Sequence, residues 1–193
     1  MIKHPIGRLL RPVRAGIDKI AAHRPAARDA PALITLTSTA FADGTPIPQR
    51  HAGKGVGDDI SPPLKWAGVP ASTVELVLIV EDPDVPLPRP IVHCLVTGID
   101  PQVNELPEGV LNLERGQVSN DLPFHIGVGA FKRRGYAGPR PIPGHGPHRY
   151  VFQIFALDTT SGLRGDATLA KTLLAINGHV IARGELTGTY ERS

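Results

Sequence analysis

The stretch GPRPIPGHGPHRY, residues 138–150, runs without a break into VFQIFALD, residues 151–158. The junction between the two decides how the chain is read. Four prolines, three glycines and two histidines occupy its first thirteen positions. Proline fixes φ and glycine opens it, so such a segment is a stiff, turning loop. The apolar run behind it reads as a buried strand over Tyr150–Leu157. A constrained loop therefore delivers His148, Arg149 and Tyr150 onto a rigid edge, where binding and chemistry concentrate.

Outward from that strand, the chain from Ala32 onward is a series of short apolar runs separated by Gly, Pro, Asp and Asn. This is the sandwich-like pattern of a mainly β (α+β) chain. Leu33–Thr37 alternates as a strand, and residues 41–59 form a polar, glycine-rich connection that closes on a second short edge ending at Trp66. Val74–Val80 (VELVLIV) is almost wholly apolar, as expected of a strand covered on both faces. It ends in Glu81-Asp82-Pro83-Asp84-Val85-Pro86, with two aspartates at the strand terminus. Ile91–Ile99 (IVHCLVTGI) is the next strand; strict alternation points His93 and Leu95 to one face and Val92, Cys94 and Val96 to the other. Residues 100–136 carry little pattern, include Asn120-Asp121 and read as a surface excursion. Asp166 is placed to cap a helix over Ala167–Ile176 with Gly178 as its stop, and Gly184–Tyr190 closes the chain as a strand.

Residues 1–28 hold a charge of +6, while the rest of the chain sums to −3. The chain thus divides into a basic arm, residues 1–29, and one domain, residues 30–193. Val13, Ile17, Ile20 and Ala21 fall at helical spacing between Pro12 and Pro25, so a short amphipathic helix is expected there. It would pack its apolar stripe on the domain or on a second copy in a homodimer, or lie against an anionic membrane. The arm's charge lacks aromatic interleaving and does not point to nucleic acid. A single cysteine, Cys94, excludes an intrachain disulfide. With neither a membrane-length apolar run nor a signal-peptide core, the expected location is cytoplasmic.

Three features are able to converge: Asp82 and Asp84 after one strand, His93 within the next, and His148 with Tyr150 at the mouth of a third. Each has an ordinary structural reading. His93 fits a core histidine satisfied by one hydrogen bond, the 82–86 segment a proline-fixed turn, and Arg149 a solvated residue or a partner for Asp82. His145 and His148 are three apart on a Gly/Pro loop, which does not fix both rings on one metal. They read as flexible loop histidines, and no metal or cofactor is assigned.

In their order and spacing, DDISPPLKWAGVP, VEDPDVP, the histidine in IVHCLV, GYAGPRPIPGHGPHRYVFQIFALD and NGHVIARGELTGTY resemble the phosphatidylethanolamine-binding protein (PEBP) family, in a bacterial branch similar to Raf kinase inhibitor protein. The resemblance covers roughly residues 32–192 and leaves out the arm. It implies two antiparallel sheets with a few peripheral helices and a small anion pocket at one end of the larger sheet. Asp82, His93, His148 and Tyr150 would line that pocket, and Pro83, Asp84, Gly144 and Arg140 would shape its rim. Tyr190 aligns only loosely. Cys94 stands where the family usually has an aromatic, and Arg140 adds a charge to a segment usually reading GPCPP; both departures bear on ligand preference rather than fold.

The residue chemistry fits that reading. Histidine N–H groups and a tyrosine hydroxyl donate to phosphate, and Asp82 is able to hold an imidazole in one tautomer. The leading expectation is a non-enzymatic binder of a small anion, phosphate or phospholipid headgroup. The alternatives are a metal-independent enzyme using His93, His148 and Asp82 as acid and base, and a regulator of a protein partner. No nucleophile elbow is present, and Ser61 sits in a proline-rich turn.

Overall fold

The computed structural model describes residues 5–112 and 122–192. Asn120-Asp121 lies outside the described residues. A five-stranded antiparallel sheet dominates. In chain order its strands are β3 (Glu75–Asp82), β4 (Ile91–Ile99), β6 (His125–Ile126), β7 (His148–Leu157) and β8 (Val180–Tyr190). They lie side by side as β6-β4-β3-β7-β8. A smaller antiparallel sheet, β1-β2-β5, contains β1 (Thr35–Thr37), β2 (Leu64–Ala67) and β5 (Glu105–Leu106). The sandwich expected from the sequence is present, and the 100–136 excursion contributes a short strand to each sheet.

The large sheet is covered on both sides, which explains the unbroken apolar runs of its central strands. On one face Leu76, Leu78, Val80, Cys94, Phe152 and Ile154 pack against Leu36, Leu64, Trp66 and Leu106 of the small sheet. On the other, Val77, Ile79, Leu95, Val151 and Phe155 are covered by Ile20, Ala21, Ala22 and Ala27 of the arm and by Ile176. Every residue of β3 is buried. β8 is an edge strand with an alternating exposure pattern, and its Arg183 ties the segment before β1 to the large sheet through Ile34 N–H (3.1 Å) and Pro31 O (2.9 Å).

Of the apolar positions expected to pack, Ile20 and Ala21 are buried, Ile17 is half-buried and Val13 is exposed, and the arm packs without the expected helix. Among the described residues its one α-helix is α1 (Pro5–Leu10), upstream of Pro12, and two single 3-10 turns follow at Ile17–Lys19 and Ala21–His23. The competing interactions are visible. Gly16 sits at φ 109°, and the amides that a helix would pair internally go to the domain instead. Ala15 N–H donates to Val85 O, Gly16 N–H to Pro83 O, Ala21 N–H to Glu81 Oε2 and Ala22 N–H to Gln153 Oε1, at 2.7–2.9 Å. Tertiary partners outweigh a weak local propensity. The C-terminal helix, α2, begins later than expected, at Leu169–Ile176. Its cap is Thr168, whose Oγ1 accepts from Lys171 N–H, while Asp166 pairs with the Lys171 ammonium.

β4 departs from strict alternation. Val80 faces Cys94 and Glu81 faces Val92, leaving His93 as an extra residue in a β-bulge. The bulge puts His93 on the same face as Cys94, against Tyr150, while Val92 joins Leu95 on the opposite side. The alternation expected from the sequence is thus corrected: His93 and Leu95 do not share a face.

Candidate functional site

Three neighbouring strands end together. Asp82 is the last residue of β3, His93 lies near the start of β4, and His148 and Tyr150 open β7. Their side chains line a cavity of about 430 Å³ whose wall also includes Val85, Leu87, Ile91 and Ile142. Lys54 and Arg140 are exposed residues of the same lining, and among the described residues neither has a carboxylate in ion-pair range.

A continuous row of hydrogen bonds runs beneath the cavity. His148 Nδ1 meets Asp82 Oδ2 at 2.7 Å, His148 Nε2 meets His145 Nδ1 at 2.7 Å, and His145 Nε2 lies 2.9 Å from Leu10 O and 3.3 Å from Val13 O in the arm. The carbonyls accept only, so His145 Nε2 carries hydrogen. Two further protons fill the other two links. The count is the same whether the proton nearest Asp82 sits on the carboxyl, or a positive charge sits on His148 or His145. Asp82 Oδ1 also accepts the Asp84 amide, at 2.8 Å. Both nitrogens of His148 are engaged, which leaves neither free toward the cavity.

His93 is poised differently. Its Nδ1–H donates to Ala137 O, its ring stands edge-on to Tyr150 at 5.0 Å, and no protein group bonds its Nε2 among the described residues. Burial lowers its pKa, outweighing the opposing field of Asp82, so the ring is neutral at pH 7 with a lone pair on Nε2. The Tyr150 hydroxyl is buried without a hydrogen-bond partner. Burial and then the field of Asp82 push its pKa well up, so it stays an O–H donor.

Asp84 and Arg149 do not face the cavity. Arg149 holds Asp84 through Nε (2.8 Å), Nη2 (2.7 Å) and its backbone N–H (2.8 Å), and Arg14 of the arm adds a contact at 3.1 Å. Burial would raise the Asp84 pKa, but these donors prevail and hold it at about 2. The clamp locks the end of β3 to the start of β7 and to the arm.

Of the residues expected in the site, Asp82, His93, His148, Tyr150 and Arg140 line the cavity. Pro83 instead accepts the Gly16 amide, and Gly144 accepts from Arg11 Nε at 2.8 Å. Tyr190 pairs with His148 across β8 and is not part of the lining. His145 is not a flexible loop residue: it is fully buried, because the arm supplies its acceptors. Cys94 is buried beside His93, and burial pushes its thiol up to about 12, which removes it as a nucleophile.

Sequence reading missed Lys54, Arg133 and Asp59. Asp59, at φ 62°, pairs with Arg133 through Oδ2 and accepts the Gly138 amide through Oδ1 at 2.8 Å, anchoring the 138–147 loop. The only available signal was the Asp58-Asp59 pair at the end of a glycine-rich connection. Among the described residues, no group of three or more His, Cys, Asp or Glu is placed to hold a metal ion, and no helix is long and apolar enough to cross a membrane.

Comparison with known proteins agrees with this architecture. A family profile described as phosphatidylethanolamine-binding protein matches residues 37–191. A UPF0098 protein of Pyrococcus horikoshii is 43% identical over 157 residues, covering 80% of this chain and 75% of that protein. A UPF0098 protein of Chlamydia trachomatis is 40% identical over 165 residues, with 81% and 98% covered. Among solved structures, a phosphatidylethanolamine-binding protein homologue from Chlamydia trachomatis superposes with a TM-score of 0.71 at 37% identity, covering 83% of this chain and 98% of that one. YbcL of Escherichia coli, described as a new member of the mammalian PEBP family, superposes with a TM-score of 0.75 at 30% identity, covering 84% and 100%.

Proposed function

Since the chain belongs to the phosphatidylethanolamine-binding protein family, we propose that its cavity takes a small phosphate-bearing anion or the headgroup of a phospholipid. One observation carries the reading: a mouth with two cations, Lys54 and Arg140, unpaired among the described residues, stands over a floor where the Tyr150 hydroxyl is buried without a partner among them. A phosphate oxygen would accept from that hydroxyl and from the two cations. The Asp82–His148–His145 row balances one carboxylate against one shared positive charge, so it adds no net repulsion.

His93 gives the binding a defined pH dependence. Its Nε2 donates to an anion only when protonated, and burial keeps the free ring neutral at pH 7. Binding would then take up a proton, and affinity should rise as pH falls, by up to about tenfold per unit while the free ring is neutral and the bound ring charged. Titrating inorganic phosphate while following the histidine ring resonances tests this. The His93 signals should move at millimolar phosphate, and more strongly at pH 6 than at pH 8. Unmoved resonances at both pH values refute the pocket; a pH-independent affinity refutes the role given to His93.

A second reading rests on the same free nitrogen. A neutral imidazole beside a buried tyrosine hydroxyl is the pairing that general acid-base chemistry uses. His93→Gln should then abolish turnover in a metabolite screen, whereas a screen in which the parent protein consumes nothing rejects the enzyme.

A further inference from the structure

The mouth of the cavity is flanked by an apolar ridge that the described residues leave exposed. Phe131 is 89% exposed, Leu87 45% and Ile142 37%. Phe131 and Lys132 both sit in the left-handed backbone region, at φ 55° and 59°, which a bulky side chain rarely adopts. Phe131 and Leu87 border the cavity and also a second hollow of about 720 Å³ on the α2 side. They form the divide between the two. The second hollow is flanked by Arg24 and Arg89, as the first is by Lys54 and Arg140, with Lys132 next to the divide.

Charge on this face is one-sided. Among the described residues, the only carboxylates lining either hollow are Asp82 and Glu81, and both are buried, at 2% and 0% exposure. Among the described residues, Lys54, Arg89, Lys132 and Arg140 form no ion pair. A short row of projecting apolar side chains among unpaired cations is what an anionic lipid surface accepts: apolar groups enter the acyl boundary, and cations stay with the headgroups. A protein partner of matching chemistry would need an acidic rim around an apolar hollow. A bilayer offers both properties without further specificity.

We propose that this face, with Phe131 as its deepest point, docks on anionic phospholipid membranes, so that the cavity opens toward the headgroup layer. The orientation of the cavity rests on the headgroup reading given above, but the docking itself depends only on the ridge and its cations. Arg24 is the arm's contribution to this surface; its Arg11 and Arg14 are occupied by Gly144 O and by Pro147 O with Asp84.

Co-sedimentation of the full chain with vesicles tests the docking. The protein should pellet with phosphatidylcholine vesicles containing phosphatidylglycerol and not with phosphatidylcholine alone, and high salt should release it. Phe131→Asp, at a position too exposed to support the core, should lower the partition coefficient by about tenfold or more. Phe131→Trp should show a blue-shifted emission with anionic vesicles, read against the single buried Trp66. Equal pelleting of the parent and Phe131→Asp overturns the proposal, as does failure of the parent to pellet at low salt. A change of oligomeric state in Phe131→Asp without vesicles also overturns it, by assigning the ridge to a second copy. Titration of soluble glycerophosphoethanolamine keeps the two readings apart: Phe131→Asp should still bind it, and Tyr150→Phe should lose it while still pelleting.

Discussion

Glu81 is a residue whose burial sets a stability trend. It lies beneath the arm, accepts from Ala21 and Gln153 through Oε2, and leaves Oε1 without a partner. Burial, opposed by those hydrogen bonds and by Arg24, raises its pKa above the ordinary 4.5. Between 4.5 and the raised folded value the native state binds the extra proton, so stability must fall as pH rises through that window. Glu81→Gln keeps an acceptor and removes the titration; denaturant midpoints from pH 4 to 8 should lose this downward trend, and an unchanged trend would disprove the assignment. Asp84 has the opposite sign. Held at about 2 against an ordinary 3.8, it contributes roughly 2 kcal/mol that is fully present above 3.8 and lost as pH falls through about 2. Asp84→Asn should remove about that much at pH 7 and flatten the acid limb of the curve. At this scale the site was half legible. Asp82, His148 and Tyr150 sit where strand ends put them, and strand ends show in sequence. Arg133 and Asp59 come from segments without periodicity, where nothing in the sequence says which side chain turns inward.

Among the elements, β4 and α1 matter most. Alternation places a side chain only while pairing stays in register, and one extra residue at His93 changes the face of Cys94 to Val96, until a second register shift before Ile99. A bulge depends on how two strands meet and has no signature within either one, so the sequence located His93 but not its side. The same applies to α1, which is docked by a close backbone approach. A Cβ at Gly7 would lie 2.0 Å from Pro143 O and 2.9 Å from His145 N. Gly7→Ala should therefore lift α1 from the loop, although alanine favours helix more than glycine does by about 1 kcal/mol. The expected outcome is faster amide exchange at residues 143–146 and a shifted His145 ring resonance, with β3 and β7 unaffected. Retention of the parent exchange rates would show that α1 does not hold the loop.

For the whole molecule, the large sheet divides two cores of different origin. The sandwich core belongs to the segment that the family shares, and its continuous apolar strands were plain in the sequence. The second core depends on the arm, whose Ile20 is fully buried with Ala21 and Ala22 on Val77, Ile79 and Val151. Removing residues 1–28 should cost several kcal/mol through this uncovered face alone, visible as a lower thermal midpoint and as binding of a hydrophobic dye. An unchanged midpoint would refute the arm's part in the core. The charge pattern that marked the arm as separate says nothing of such packing, since small alanines carry little signal. The arm also holds the last acceptors of the imidazole row, Leu10 O and Val13 O, upstream of the family match at 37–191. Backbone carbonyls are supplied by any residue type, so an alignment has no column in which their presence can be scored. A protein trimmed to the family boundary would keep every side chain of the row and lose the group that decides which nitrogen of His145 bears hydrogen. Its cavity would have the same residues and a different proton order.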